Sequence, residues 1–112
     1  MAGRILRGSI YWADLNPTQG REQSGIRPIL VISHSAFNDN SEMAIVMAIT
    51  SSEPKAKYPL TLELDCPKLP KKSWVKTTQI RAISNSRIKT KIGNINEVQM
   101  LEIIKALCEV IA

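Results

Sequence analysis

The chain has 112 residues, 44% hydrophobic and 22% charged, with a net charge of +5. That is room for one globular domain over residues 1–112 with one hydrophobic core of its own, and it excludes a disordered chain, a fibre and a multidomain enzyme. The apolar run Ala44 to Ile49 falls far short of the ~20 residues of a membrane helix, and Arg4 and Arg7 precede no secretory apolar stretch, so a cytoplasmic protein without a membrane partner is expected.

Ser9 to Leu15 reads as a first strand, aromatic and partly alternating, stopped by the turn residues Asn16-Pro17-Thr18-Gln19-Gly20. The polar run continues to Gly25. Pro28 to Ser33 is a continuous apolar run of strand length, expected to be buried on both faces. Ser35 to Ser41 is a turn with room for a short helix. Met43 to Thr50 is a second buried strand, followed by a loop over Ser51 to Tyr58 that contains Pro54. Leu60 to Leu64 alternates cleanly and predicts a half-exposed strand. Cys66 to Lys72 is a loop, Ser73–Thr78 and Gln79–Ile83 are strand material with a bend between them, and Ile88 to Ile92 is a last short strand. Asn96 and Gln99 have the spacing of a capping box. After them Val98, Leu101, Ile104, Leu107 and Ile111 recur at helical spacing, so an amphipathic helix ends the chain, with this stripe as its apolar face. Short strands plus one terminal helix make a mainly β fold, a small barrel or strongly bent sheet.

Charge is unevenly distributed. Residues 55–91 hold ten basic side chains against Glu63 and Asp65, a net +8 that leaves the rest of the chain at −3. Clustered cations suit a polyanion, because each neutralised phosphate releases counterions; a merely solvated face is the plainer alternative. Cys66 and Cys108 are far apart, show no metal-ligand spacing and read as reduced thiols. With His34 the single histidine, read as a surface turn residue, no metal or cofactor is expected.

Functional groups concentrate in the loop from Asn16 to Arg27. Glu22, Gln23 and Arg27 stand just before a buried strand, a frequent setting for a site. A surface ion pair between Glu22 and Arg27, worth ~0–1 kcal/mol, is the bland reading of the same spacing. Thr50, Ser51 and Ser52 end the second buried strand; their hydroxyls either cap a turn or bind a phosphate oxygen beside Arg27. Gln79 and Arg81 share one strand face and suit the lining of a groove. Trp12 and Trp74 can stack on bases, but among only five aromatic residues they are expected in the core.

Several blocks together resemble one family. Arg7 to Pro17 (RGSIYWADLNP), the loop Gly20-x-Glu22-Gln23-Ser24-Gly25-x-Arg27-Pro28 running into Ile29 to Ser33, then Ala48-Ile49-Thr50-Ser51, Gln79-Ile80-Arg81, Ser86-Arg87-Ile88 and Lys91-Ile92-Gly93 are similar to the MazF/PemK toxin endoribonucleases, over roughly residues 6 to 111. The resemblance implies a small SH3-like β-barrel with a C-terminal α-helix, a homodimer, and metal-independent cleavage of single-stranded RNA at short sequences. It also implies a cognate antitoxin whose acidic segment occupies the RNA groove. Catalytic roles fall on Arg27 and Thr50, with Glu22 as a base or as the group that orients Arg27. RNA contacts fall on Asn16, Thr18, Gln19, Gln23, Ser51, Gln79 and Arg81. In such a reaction the RNA's own 2′-hydroxyl is the nucleophile, and the products are a 2′,3′-cyclic phosphate and a 5′-hydroxyl. A gyrase poison of the CcdB type shares the fold, but that function uses a terminal Trp-Gly-Ile, and this chain ends Glu109-Val110-Ile111-Ala112. A non-catalytic RNA-binding module is the other alternative, although Arg27, Thr50 and Glu22 are all present.

Overall fold

The two continuous apolar runs lie side by side at the centre of one antiparallel sheet. A computed structural model describes residues 3–15 and 25–112. Its strands are β1 (Ser9–Asp14), β2 (Ile26–Val31), β3 (Met43–Thr50), β4 (Thr61–Glu63), β5 (Trp74–Ser84) and β6 (Ile88–Asn94), with helices α1 (Ser35–Ser41) and α2 (Glu97–Ile111). The six strands are ordered β4-β5-β3-β2-β1-β6, each antiparallel to its neighbours.

A run without polar alternation needs apolar partners above and below, and β2 has both. Ile29, Leu30 and Val31 are all fully buried. Leu30 joins Ile10, Met47 and Ile49 in a core that α2 covers through Met100 and Ile103. Ile29 and Val31 join Tyr11, Ala13, Ala44, Val46, Ile83 and Ile88 in a second cluster on the opposite face. The sheet thus separates two apolar clusters, where the composition suggested one core. Tyr11 anchors the second, its hydroxyl accepting from the Leu6 amide at 3.1 Å.

Several boundaries differ from the sequence reading. β2 begins at Ile26 and stops at Val31, two residues earlier at each end than the apolar run. Pro28 is tolerated because the last β2–β3 pair is Ile29 with Ala48, so the missing N–H lies past that ladder. Both strand segments predicted between Ser73 and Ile83 belong to β5. The expected bend is an irregularity: Met47 faces Ile80 but Ile49 faces Val75. Between them Lys76 pairs with Thr61 of β4, and the Thr77 hydroxyl donates to the Pro59 carbonyl at 2.8 Å. β4 is only three residues long. Trp12 and Trp74 are half-buried rather than core residues.

The resemblance implies a barrel. Among the described residues the sheet is open, with β4 and β6 as edges, because the β4–β5 ladder ends after three pairs.

The terminal helix forms as expected but turns a different face inward. Asn96 caps it, accepting from the Gln99 amide at 2.8 Å. Gln99 does not close a capping box: its side chain accepts from the Asp65 amide and donates to the Glu63 carbonyl, both at 2.8 Å. The buried positions are Met100, Ile103 and Ala106, with Ile104 and Leu107 packed at the margin. Val98, Leu101 and Ile111 of the predicted stripe are 70%, 58% and 72% exposed. Gln99, fastened to the end of β4, sets the helix's rotation about its axis, and that rotation brings Ile103 to the sheet.

Replacing Ile103 by Ala therefore costs ~2–5 kcal/mol in urea unfolding, as buried large-to-small changes do, while Val98→Ala stays within ~0.5 kcal/mol. The reverse ranking would restore the face predicted from periodicity.

Candidate active site

The β2–β3 register builds the site. Ile29 faces Ala48 and Val31 faces Val46. Carried two residues past the last pair, the same register sets Arg27 across from Thr50. Both belong to the face that carries Ile29, Val31, Val46 and Ala48, because alternate residues of a strand share a face. Arg27 stands where β2 begins, opposite Ala13 of β1, and Thr50 where β3 stops, opposite Trp74 of β5.

A cleft of about 240 Å³ opens at this end of the sheet. Its lining includes Arg27, Thr50 and Ser51, with Trp12 and Pro28, and the segment Leu69-Pro70-Lys71, which leads into β5 on the other side of β3 from β2. Thr50 Oγ1 accepts from the Ser52 amide at 3.2 Å, so the hydroxyl does cap a turn. That contact uses an acceptor lone pair and leaves the hydroxyl proton for another oxygen. Both sequence readings of Thr50 are therefore compatible.

The structure brings Arg27, Thr50 and Ser51 together. Arg81 faces Val46, four residues from Thr50 along β3, or about 13 Å at ~3.3 Å per residue; it shares the face but not the cleft. Gln79 lies in the irregular stretch of β5, away from the cleft lining. Glu22, Asn16, Thr18, Gln19 and Gln23 lie outside the described residues. The backbone on either side of them is joined, the Leu15 amide donating to the Gly25 carbonyl at 2.9 Å. Gly25 takes φ +82°, which suits glycine where the chain turns into β2.

Two lining groups escaped the sequence reading. Trp12 reads as core from its rarity, yet it pairs with Pro28 and flanks the cleft. Lys71 sits in a stretch read as a loop and counted with the ten cations of the +8 segment, but not singled out from them. Its place in the site depends on long-range folding, and no local pattern signals it. Among the described residues no three His, Cys, Asp or Glu side chains gather as a metal cluster, and no helix is long and apolar enough to cross a membrane. Cys66 and Cys108 are both free thiols.

This is the MazF fold. The crystal structure of MazF (Form-I) from Deinococcus radiodurans superimposes with a TM-score of 0.80 at 24% identity, covering 95% of this chain and 94% of that one. A mycobacterial endoribonuclease in complex with its cognate antitoxin gives a TM-score of 0.75 at 21% identity, covering 94% and 92%. The MazE–MazF (Form-II) structure from D. radiodurans gives 0.76 at 24% identity, covering 96% and 95%.

The sequence narrows this further. Residues 6–111 match the PemK-like, MazF-like toxins of type II toxin-antitoxin systems, and the chain belongs to that family. It is 41% identical over 105 residues to the Endoribonuclease MazF of Staphylococcus epidermidis, covering 92% of this chain and 88% of that protein.

Thr50→Val removes the acceptor of the Ser52 contact. It lowers stability by ~0.5–1.5 kcal/mol, the net worth of one hydrogen bond, and Thr50→Ser retains it; denaturant midpoints of the pair measure the difference.

Proposed function

We propose that this chain is a toxin endoribonuclease that cuts single-stranded RNA at short sequences without a metal. The observation that carries this reading is the β2–β3 register, which sets a guanidinium and a hydroxyl at adjacent strand ends over one cleft. Membership of the toxin family and likeness to the staphylococcal endoribonuclease support it.

The chemistry asks for no protein nucleophile. The 2′-oxygen of the RNA attacks the adjacent phosphorus, the bond to the 5′-oxygen breaks, and a 2′,3′-cyclic phosphate and a 5′-hydroxyl result. One proton leaves the 2′-hydroxyl and one reaches the departing 5′-oxygen. Arg27 can clamp phosphoryl oxygens through two N–H groups and stabilise the charge that develops on them. A guanidinium hardly deprotonates, so Arg27 is not the base; it can protonate the leaving oxygen while it holds the phosphate. Thr50 donates to a phosphate oxygen. Glu22 takes the 2′ proton or orients Arg27. Ser51, Gln79 and Arg81, with Asn16, Thr18, Gln19 and Gln23, contact the RNA, whose base edges are accessible only in unpaired strands.

The wider reading is a single toxin domain over residues 1–112, its sheet curled toward an SH3-like barrel, working as a homodimer in the cytoplasm. The +8 segment suits two partners: RNA, and an antitoxin with an acidic segment. Solved MazE–MazF structures support the second.

The test is to incubate the purified protein with a long single-stranded RNA in EDTA and map cut sites and end groups. Discrete cuts leaving cyclic phosphate are expected, and Arg27→Ala lowers the rate at least ~10²-fold, the effect of removing one preorganised donor. Near-wild-type cleavage by folded Arg27→Ala overturns the role of Arg27. No cleavage by the folded, antitoxin-free protein across several RNAs overturns the ribonuclease reading, and a gyrase pull-down then tests the CcdB alternative.

A further inference from the structure

The cleft has a second cation that the reaction does not need. Its charged lining among the described residues consists of Arg27, from β2, and Lys71, from the segment before β5 on the far side of β3, and no Asp or Glu of those residues lines it. An anion entering this space meets two cations and the hydroxyls of Thr50 and Ser51.

The backbone around Lys71 is held on both sides. Leu69 packs against the helix-side core, and its amide donates to the Cys66 carbonyl at 3.1 Å. The ring of Pro70 fixes that residue's own φ. Ser73 is buried, and its hydroxyl donates back to the Lys71 carbonyl at 2.8 Å. A lysine rooted in such a segment keeps its stem in place while its ammonium stays free to adjust.

Its neighbour Lys72 is engaged elsewhere: its Nζ lies 3.6 Å from Glu63 and 5.7 Å from the centre of the Trp74 ring. No carboxylate of the described residues pairs with Lys71. Of two adjacent lysines, one is held against its own strands and the other faces the cleft with its charge unspent.

We propose that Lys71 binds a backbone phosphate of the RNA adjacent to the scissile one, steadying the strand from the β5 side of the cleft. This rests on the ribonuclease reading. Arg27 and Thr50 serve the phosphate that reacts, and Lys71, on the β5 side of Thr50 where Arg27 is on the β2 side, suits the next one along. An ammonium is a compact point charge without the planar fork of a guanidinium, so it holds a phosphate without reading a base. Lys71 therefore sets how tightly RNA is held and not where it is cut.

The experiment compares wild type, Lys71→Ala, Lys71→Arg and, as a charge-matched control on α2, Lys105→Ala. The substrate is a short RNA containing one mapped cut site. Lys71→Ala is expected to raise KM about three- to tenfold with kcat within twofold. It should leave the cut-site preference unchanged and reduce the slope of log affinity against log salt by ~0.7, one phosphate contact on a single strand. Lys71→Arg restores most of the loss, and Lys105→Ala matches wild type. Neutral methylphosphonate linkages then replace the flanking phosphates one at a time. One flanking position should weaken wild type and leave Lys71→Ala unaffected. Equal sensitivity of both proteins at every position, or a Lys71→Ala salt slope equal to that of wild type, overturns the proposal while wild-type cleavage still stands. A change in cut-site preference makes Lys71 a base reader and overturns it as well. If wild type does not cleave the RNA, the ribonuclease reading has failed, and this assignment fails with it.

Discussion

The antiparallel register between β2 and β3 is the constraint on which the candidate site depends. Arg27 and Thr50 are 23 positions apart in the chain and line one cleft because Ile29 lies against Ala48 and Val31 against Val46. A slip of one residue would turn one strand's buried set to the opposite face. Such a slip is strongly opposed here, because both faces of β2 are already packed and the displaced side chains would meet the wrong cluster. The geometry at the strand ends is thus fixed by apolar contacts some distance from it. A candidate site on an exposed rim gains its definition from the dry centre of the sheet.

The lining segment that carries Lys71 is held by a separate set of contacts. Gln99 fastens the start of α2 to Glu63 and Asp65, and the chain then runs through Cys66 and Leu69 to the segment that carries Lys71. Cys66 in turn sits against Gly93 of β6, where a Cβ would come within 2.9 Å of its Sγ. Part of the cleft lining is therefore built from the two central strands and part from a loop clamped between helix and edge strand. The two parts share the helix-side core, in which Leu30, Met47, Cys66 and Met100 all take part.

What the sequence disclosed follows the range of the interactions involved. The central strands were legible because a run such as Ile29-Leu30-Val31 has no other soluble use at that length, and the Asn96 cap was legible because it is local. The helix face was misread because Val98, Leu101 and Ile111 satisfy the period as well as Met100, Ile103 and Ala106 do; Gln99, fastened 36 residues back to Glu63, decides between them. Arg27 and Thr50 were singled out by their places at a loop end and a strand end, and motif resemblance added their expected roles; their shared cleft follows from pairing two strands that spacing alone does not pair. Lys71 was missed because no rule of composition separates it from Lys72; Glu63 and Trp74 make that distinction in space. The open edges were missed for a related reason, since the length of β4 depends on where its ladder with β5 ends.

Those open edges have a consequence for the free protein. An unpaired strand edge is a template on which another chain can add, and soluble proteins blunt it with short strands or charge. Here β4 exposes only three residues, and β6 presents Lys89, Thr90 and Lys91 outward. The lysines on β6 belong to the same basic segment that suits a polyanion. Their charge thus guards against edge-to-edge aggregation as well as favouring nucleic acid. Stripping the segment of charge to weaken RNA binding would also remove the guard, so solubility and affinity are written into the same side chains and cannot be tuned independently there.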